Sequence, residues 1–180
     1  MKHLFLLGCL VGLTAACTSR QTTDASTSAT IDSSQTAPAT MSAPATVALT
    51  ARLTGLGMTT DHDWRKVTLG DAFTAAKATE TAQPFEQDAA HVGYSQEFTN
   101  LESVDYQYIQ EGEKVTSIQV DLYLNTVQSV KAYGQELTTY LTARYGNPTI
   151  TLQSTTWKNG TVTLKDVSKG KDFGLKLVIK

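Results

Sequence analysis

Apolar residues recur along this chain with two different periods, and each period predicts a different element. From Thr126 onward the apolar positions are spaced by three and four residues, at Val127, Val130, Gly134, Leu137 and Leu141. This spacing predicts an amphipathic helix. Thr126 suits the N-cap of that helix, whereas Gly146 and Pro148 suit its end.

Alternation of period two predicts strands before this helix. In "VTSIQVDLYL" the apolar positions Ile118, Val120, Leu122 and Leu124 alternate with polar ones, which predicts one buried and one hydrated face. The segment "SVDYQYIQ" precedes it, and Glu111-Gly112-Glu113 lies between the two. The two segments therefore predict a hairpin. Earlier still, "TLGDAFTAAKATETAQP" predicts a short helix, with Thr68 or Asp71 near its start and Pro84 beyond its end.

After the long helix, "TLQSTTWKNGTVTL" predicts a second hairpin. Asn159-Gly160 supplies the two positive φ values that a type I′ turn requires, and this turn sets Trp157 opposite Val162. A last strand, "FGLKLVIK", is expected to bury Leu175, Leu177 and Ile179. The predicted fold class is therefore α+β: an antiparallel sheet with two helices on one face, in the order α-β-β-β-α-β-β-β, preceded by a disordered stalk.

The first twenty residues follow the pattern of an export signal. Lys2 precedes an apolar run of ten residues from Leu4 to Leu13. A transmembrane helix needs roughly 20 residues, whereas a run of this length suits the core of a secretory signal. Leu13-Thr14-Ala15-Ala16-Cys17 resembles the lipobox of bacterial lipoproteins, with Thr14 at the position where leucine is commonest. The resemblance implies a signal peptide over residues 1–16 and lipidation of Cys17.

Two alternatives to this assignment stay open. Leu6-Leu7-Gly8-Cys9 matches the same pattern but leaves a shorter apolar core than signals use. Ordinary cleavage after Ala16 would leave a soluble exported chain with a free N-terminal cysteine. Since Cys9 and Cys17 are the only cysteines, the mature chain keeps one and forms no intrachain disulfide. The resemblance to lipoproteins, with Thr18 rather than aspartate after the cysteine, implies an outer-membrane anchor that faces the periplasm.

Residues 17–50 are expected to comprise the lipidated cysteine and a disordered linker. Positions 18–50 hold 24 Ser, Thr, Ala or Pro among 33 residues and no aromatic residue. Such a segment buries too little apolar surface to offset its ordering entropy. All thirteen aromatic residues after the leader lie between Trp64 and Phe173, so we predict a single globular domain over residues 51–180.

The segment "YLTARYGNPT", followed by Trp157 and a glycine turn, is similar to a pattern of small periplasmic modules. That pattern is a helix, G-x-P, a strand and a tryptophan, and the similarity covers about residues 137–167. The modules include the SmpA/OmlA assembly lipoproteins and the beta-lactamase-inhibitor-like repeats. The resemblance implies helices packed on an antiparallel sheet.

The sequence offers little chemistry for catalysis. It contains neither a G-x-S-x-G elbow nor a G-x-x-x-x-G-K-[ST] loop. Glu111 and Glu113 at a hairpin tip are too hydrated to acquire the separated pKa values of an acid–base pair. Asp61-His62-Asp63 with His91 is the one dense cluster that could ligate a metal, but its spacing places no two ligands on one helix face, so a solvated loop is favoured. We therefore predict no enzyme activity, no cofactor and no metal.

Charge and aromatic placement leave two function classes. After the leader the chain has 14 Lys and Arg against 17 Asp and Glu, with no basic stripe, which argues against nucleic acid. Tyr106 and Tyr108 alternate on one strand face and, with Glu111 and Glu113, form a possible partner surface; alternatively the tyrosine rings cover the core. The favoured function is a membrane-tethered, non-catalytic binding or assembly module for an envelope protein. The alternative is a tethered inhibitor or immunity protein whose acidic loop "EGEK" enters a basic active site.

Overall fold

The computed structural model describes residues 48–180. The predicted signal peptide (1–16), the lipidation site Cys17 and the linker up to residue 47 lie outside the described residues. The elements run in the order α1 (Ala51–Gly55), α2 (Phe73–Ala78), β1 (Glu86–Gln87), β2 (His91–Glu97), β3 (Ser103–Glu111), β4 (Lys114–Leu124), α3 (Val127–Tyr145), β5 (Thr149–Ile150), β6 (Thr155–Trp157), β7 (Val162–Asp166) and β8 (Phe173–Ile179).

The eight strands form one antiparallel sheet in the order β1-β2-β3-β4-β8-β7-β6-β5. The α+β class is confirmed, but the predicted element order is wrong. A short helix, α1, precedes α2, and four strands rather than three lie on each side of α3. The two extra strands, β1 and β5, are the sheet edges and have two residues each, so they carry no alternation that a sequence could show.

The long helix α3 has the predicted limits. The Thr126 hydroxyl accepts a hydrogen bond from the Ser129 N–H at 3.0 Å, and Thr126 is therefore the N-cap. The helix ends at Gly146, which has a φ of +86°, a value that glycine adopts readily. The Gly146 N–H donates to the Thr142 carbonyl at 2.9 Å. Its buried residues are Val130, Tyr133, Leu137, Tyr140 and Leu141.

The first predicted helix is shorter than expected. It begins at Phe73 after an Ala72 N-cap that makes no side-chain hydrogen bond, so Asp71 lies near its start, as predicted, but neither Thr68 nor Asp71 caps it. The Asp71 carboxylate instead accepts from the Thr68 N–H at 2.8 Å. The backbone of Asp71 accepts from the Val115 N–H on β4, at 2.9 Å, and this sheet pairing holds the segment extended up to Ala72.

Buried side chains from the three helices and from one face of the sheet belong to a single core. Alternate residues of β4 and β8 are buried as predicted: Ile118, Val120, Leu122 and Leu124 on β4, with Leu175, Leu177 and Ile179 on β8. No helix of residues 48–180 packs on the opposite face of the sheet. That face, called the open face below, carries mainly polar side chains that are half-exposed or exposed, together with Tyr123 and Val178.

The turn predicted at Asn159-Gly160 is confirmed. Both residues have positive φ (+56° and +90°), and the Thr161 N–H donates to the Lys158 carbonyl at 3.2 Å, as in a type I′ turn. Trp157 lies opposite Val162 in the ladder, as the turn predicts. Lys158 also has a positive φ (+46°), so the strands join the turn through a four-residue connection rather than directly.

Packing starts slightly before the predicted domain boundary at residue 51. Leu49 is partly buried against the core. The Thr50 hydroxyl accepts from the Leu53 N–H at 3.2 Å and caps α1, and it also donates to Glu136 on α3. Among residues 48–180, no helix combines the length and apolar character needed to cross a membrane.

Candidate functional site

Tyr106 and Tyr108 do not form a partner surface. They are 1% and 0% exposed, because the face of β3 on which they alternate is the face that the helices cover. The alternative interpretation, that these rings belong to the core, is confirmed. The Tyr94 ring on β2 packs against them, with centroids 5.7 Å from Tyr106 and 6.1 Å from Tyr108.

The two tyrosine hydroxyls share one carboxylate. Tyr106 donates to one oxygen of Glu80 at 2.7 Å, and Tyr108 donates to the other at 2.6 Å. The Glu80 side chain is only 3% exposed, and the Arg65 Nε lies 3.4 Å from it. Burial, together with the charge and hydrogen bonding of Glu80, raises the pKa of both tyrosines, so both stay hydrogen-bond donors. The cluster ties the segment after α2 to the sheet and offers no opening to a ligand.

Glu111 and Glu113 lie on the surface, as predicted for a hairpin tip. Glu111 pairs with Lys114, and the two-residue turn between them has positive φ at Gly112 (+57°) and Glu113 (+64°). The tip does not project freely, because the Phe73 N–H at the start of α2 donates to the Glu113 carbonyl at 2.8 Å. Both carboxylates are nevertheless exposed and free to meet a partner.

The cluster Asp61-His62-Asp63 divides between surface and interior. Asp63 is buried, which corrects the expectation of a fully solvated loop. Its carboxylate accepts from the Tyr145 hydroxyl at 2.6 Å, from Arg144 Nη2 at 2.9 Å and from the Leu69 N–H at 2.9 Å. Burial opposes ionisation of Asp63, but these three donors outweigh it and hold the pKa below its usual value.

The two histidines have separate partners. His62 Nδ1 lies 2.8 Å from an Asp61 carboxylate oxygen, while His91 Nδ1 lies 3.0 Å from Asp88. Within residues 48–180 no group of three or more His, Cys, Asp or Glu side chains is arranged to hold a metal ion. The candidate ligands are therefore not brought together in this part of the chain.

The open face carries a row of charges across four strands. Asp105 on β3, Asp121 on β4, Lys176 on β8 and Lys165 on β7 are successive partners in the ladder register. Lys176 Nζ contacts both oxygens of Asp121 at 3.0 and 2.9 Å. Asp105 directly faces Asp121, and like charges in this position destabilise a sheet. A half-exposed face that keeps such a pair is therefore the best candidate for recognition in the described domain.

A groove of about 1050 Å³ lies on the other side of the sheet, between α3 and the hairpin of β5 and β6. Val130, Leu164 and Leu175 form part of its apolar lining, and Gly134 leaves the helix surface low at this point. Leu152 at the hairpin tip lies at its rim and is fully exposed. Its lining is mixed and includes several threonines and the charged residues Lys131, Lys165 and Asp166.

Sequence reasoning missed Glu80 and the contact of Asp63 with Arg144. Residues 63 and 144 are 81 positions apart, and nothing local in the sequence pairs them. Glu80 lies just beyond a short helix, where a carboxylate is ordinarily hydrated. A weak signal was present in Tyr106 and Tyr108, because two hydroxyls on a buried face require an acceptor.

Comparison with known proteins returned no match: no family model, no curated protein and no solved structure is significantly similar to this chain. The similarity of residues 137–167 to small periplasmic modules and the lipobox at Cys17 therefore stay predictions. The candidate site is assigned from its geometry alone.

Proposed function

We propose that this chain is a lipid-anchored envelope protein that acts as a non-catalytic binding or assembly module. The anchor is Cys17, the linker before residue 48 separates it from the domain, and the open face receives an envelope protein partner. The outer membrane, on its periplasmic side, is the proposed location. The observation that carries the binding role is the charge row Asp105, Asp121, Lys176 and Lys165 on the open face.

Two features support recognition by this face. The row changes sign between β4 and β8, so a partner with the opposite order of charges fits it in one orientation only. Asp105 has its like-charged neighbour Asp121 at the adjacent ladder position, where a neutral residue would stabilise the sheet. Lys176 already contacts both oxygens of Asp121, so Asp105 is the carboxylate of this pair to which a partner's cation would bind.

A tethered inhibitor or immunity protein is the second candidate. It is favoured by the exposed hairpin tip, where Glu113 has a φ of +64° and two carboxylates lie within three residues. Such a tip suits insertion into a basic cleft. Because Tyr106 and Tyr108 are buried, they offer no aromatic face to a partner, and the two candidate functions differ in which charged surface they use.

Charge substitutions distinguish the two candidates. The tethered protein is crosslinked reversibly in intact cells, and the captured proteins are identified for each variant. Asp105→Lys is expected to abolish capture without weakening the fold, because the new cation faces Asp121. The matched variant Glu111→Gln/Glu113→Gln is expected to leave capture unchanged. Normal capture by Asp105→Lys together with loss of capture by Glu111→Gln/Glu113→Gln would instead support the tethered inhibitor.

The anchor has its own experiment. Cys17→Ser is expected to abolish incorporation of labelled fatty acid and to release the chain from the membrane fraction or leave it unprocessed. A Cys9→Ser variant is the control and should be processed like the parent. Incorporation of labelled fatty acid into Cys17→Ser at the parent's level, or retention of a processed Cys17→Ser chain in membranes, would show that Cys17 is not the lipid anchor.

A further inference from the structure

The groove between α3 and the β5–β6 hairpin, called the α3 groove below, opens onto part of the hydrophobic core. Val130, Leu164 and Leu175 belong to the core and also line the groove. Leu152 at the rim is fully exposed. The lining also supplies several hydroxyl groups, from Thr138, Thr139, Thr151, Ser154 and Thr155. The α3 groove therefore offers apolar surface together with hydrogen-bonding groups that carry no charge.

The chain enters the described domain beside this groove. Ala48, the first described residue, lines a small cleft together with Gln135 and Thr139 of α3. The same two residues line the α3 groove, so they form a ridge between the cleft and the groove. Leu49 is partly buried against the core, whereas Ala48 is exposed. The residues before 48 therefore begin within one helix width of the groove.

We infer that residues 41–47 of this chain bind in the α3 groove. The α3 residues that line the groove extend from Val130 to Thr139, which corresponds to about 14 Å along the helix axis. Seven extended residues span up to about 23 Å. A segment of this length crosses the ridge and follows the groove to its far end.

The composition of the segment fits the groove. The segment reads "MSAPATV", and no charged residue lies between Asp32 and Arg52. Met41 has the flexible apolar side chain that fills irregular gaps between core residues. An extended segment has unpaired backbone N–H and C=O groups, which the hydroxyl groups of the lining satisfy.

The charges of the lining do not oppose this occupant. The charged lining residues are Lys131, Lys165 and Asp166, so the two lysines exceed the aspartate by one positive charge. A segment without charges buries no ion in the groove and therefore avoids the cost of desolvating one. A strongly charged peptide would find no set of opposite charges here.

Tethering favours this segment over a separate partner. A segment joined to its site by a few residues has an effective concentration on the order of millimolar. Contacts of only a few side chains are sufficient at this concentration, whereas a protein present at micromolar concentration needs an affinity about a thousandfold higher. Binding leaves residues 18–40 as the spacer to the anchor. It also leaves the open face accessible, since the groove lies on the helix side of the sheet.

The test measures disulfide formation between the segment and the groove. The chain from residue 17 with Cys17→Ser keeps the linker and the whole described domain and has no other cysteine. Ser42→Cys is combined with Gln153→Cys, which lines the groove. The matched pair combines Ser42→Cys with Asp61→Cys, an exposed position beside Tyr140 and Arg144 on the other flank of α3. Equilibration with glutathione gives the effective concentration of each pair, and we expect the groove pair to exceed the matched pair at least tenfold.

Substitutions in the segment test the contacts themselves. Met41→Ser/Val47→Ser should bring the two effective concentrations to within about threefold of each other, because the apolar contacts are lost. Ile31→Ser/Ala37→Ser makes the same change outside the segment and should leave the tenfold difference in place. Melting temperatures of the reduced proteins show that every variant is folded.

Three results would overturn the inference. The first is an equal effective concentration for the groove pair and the matched pair, which describes a linker that does not bind. The second is a difference that Met41→Ser/Val47→Ser leaves unchanged. The third is a disulfide between chains whose yield rises with protein concentration, which would assign the groove to a second copy. The lipid anchor and the open face are not involved, so none of these results bears on the proposed function.

Discussion

Removal of one hydroxyl from the buried tyrosine cluster should measurably weaken the fold. Tyr108 donates at 2.6 Å to a Glu80 carboxylate that is almost inaccessible to solvent. A hydrogen bond to a charged group contributes about 1.5–3 kcal/mol, and Tyr108→Phe should lower the free energy of unfolding by this amount. Urea unfolding followed by the fluorescence of the buried Trp64 and Trp157 measures it.

A double-mutant cycle identifies the carboxylate as the source of that energy. In a Glu80→Gln background an NH2 group replaces one of the two acceptor oxygens, so only one tyrosine hydroxyl keeps an acceptor and that acceptor is neutral. A neutral hydrogen bond contributes only about 0.5–1.5 kcal/mol. Tyr108→Phe should therefore cost about 1 kcal/mol less in this background than in the parent. Tyr123→Phe is the matched control, since its hydroxyl belongs to an exposed side chain, and it should change stability by less than about 0.5 kcal/mol.

Two results would refute this reasoning. One is a Tyr108→Phe variant within about 0.5 kcal/mol of the parent, which would mean that the hydroxyl gains as much from water in the unfolded chain. The other is an equal cost of Tyr108→Phe in both backgrounds. Equal costs would show that the charge of Glu80 contributes nothing to the contact.

Three further predictions test the fold by urea unfolding. Gly134→Ala should raise the free energy of unfolding by about 0.5–1 kcal/mol, because the site is helical and uncrowded. Gly174→Ala should lower it, because the new Cβ would lie 2.7 Å from the Leu122 carbonyl oxygen. Gly160→Val should cost about 1–3 kcal/mol and Gly160→Asn clearly less, since φ is positive there. The pKa of Asp63 is lowered in the folded state. The ionised carboxylate therefore stabilises the fold above the ordinary aspartate pKa, and this stabilisation is lost as the pH falls. Asp63→Asn should lower the free energy of unfolding at neutral pH, and the difference from the parent should disappear in acid.

Each of these has an outcome that contradicts it. Equal effects of alanine at positions 134 and 174 would show that the sheet moves away from the Leu122 carbonyl. Equal effects of valine and asparagine at 160 would remove the type I′ turn as a determinant of the hairpin. A difference between Asp63→Asn and the parent that stays constant into acid would assign the loss to packing rather than to the ionised carboxylate.

Local patterns were sufficient for the elements whose ends and faces depend on neighbouring residues. The limits of α3 follow from Thr126 and Gly146, and the Trp157–Val162 register follows from the Asn159-Gly160 turn. These features are readable because caps and turns act within a few residues. The exact first residue of α2 could not be predicted, since a backbone pairing with Val115, far along the chain, holds the preceding segment extended.

Tertiary structure alone decided which side chains are available to a partner. Alternation placed Tyr106 and Tyr108 on one face of a strand, but a period of two does not say which face the helices cover. The sequence also gave no means of pairing Asp63 with Arg144 or of aligning Asp105, Asp121 and Lys176, because these contacts join separate strands and helices. The sequence by itself therefore determined the local elements and the prediction of lipidation at Cys17. Burial and the candidate surfaces depended on how those elements packed, since the exposure of a side chain depends on contacts between residues distant in the chain.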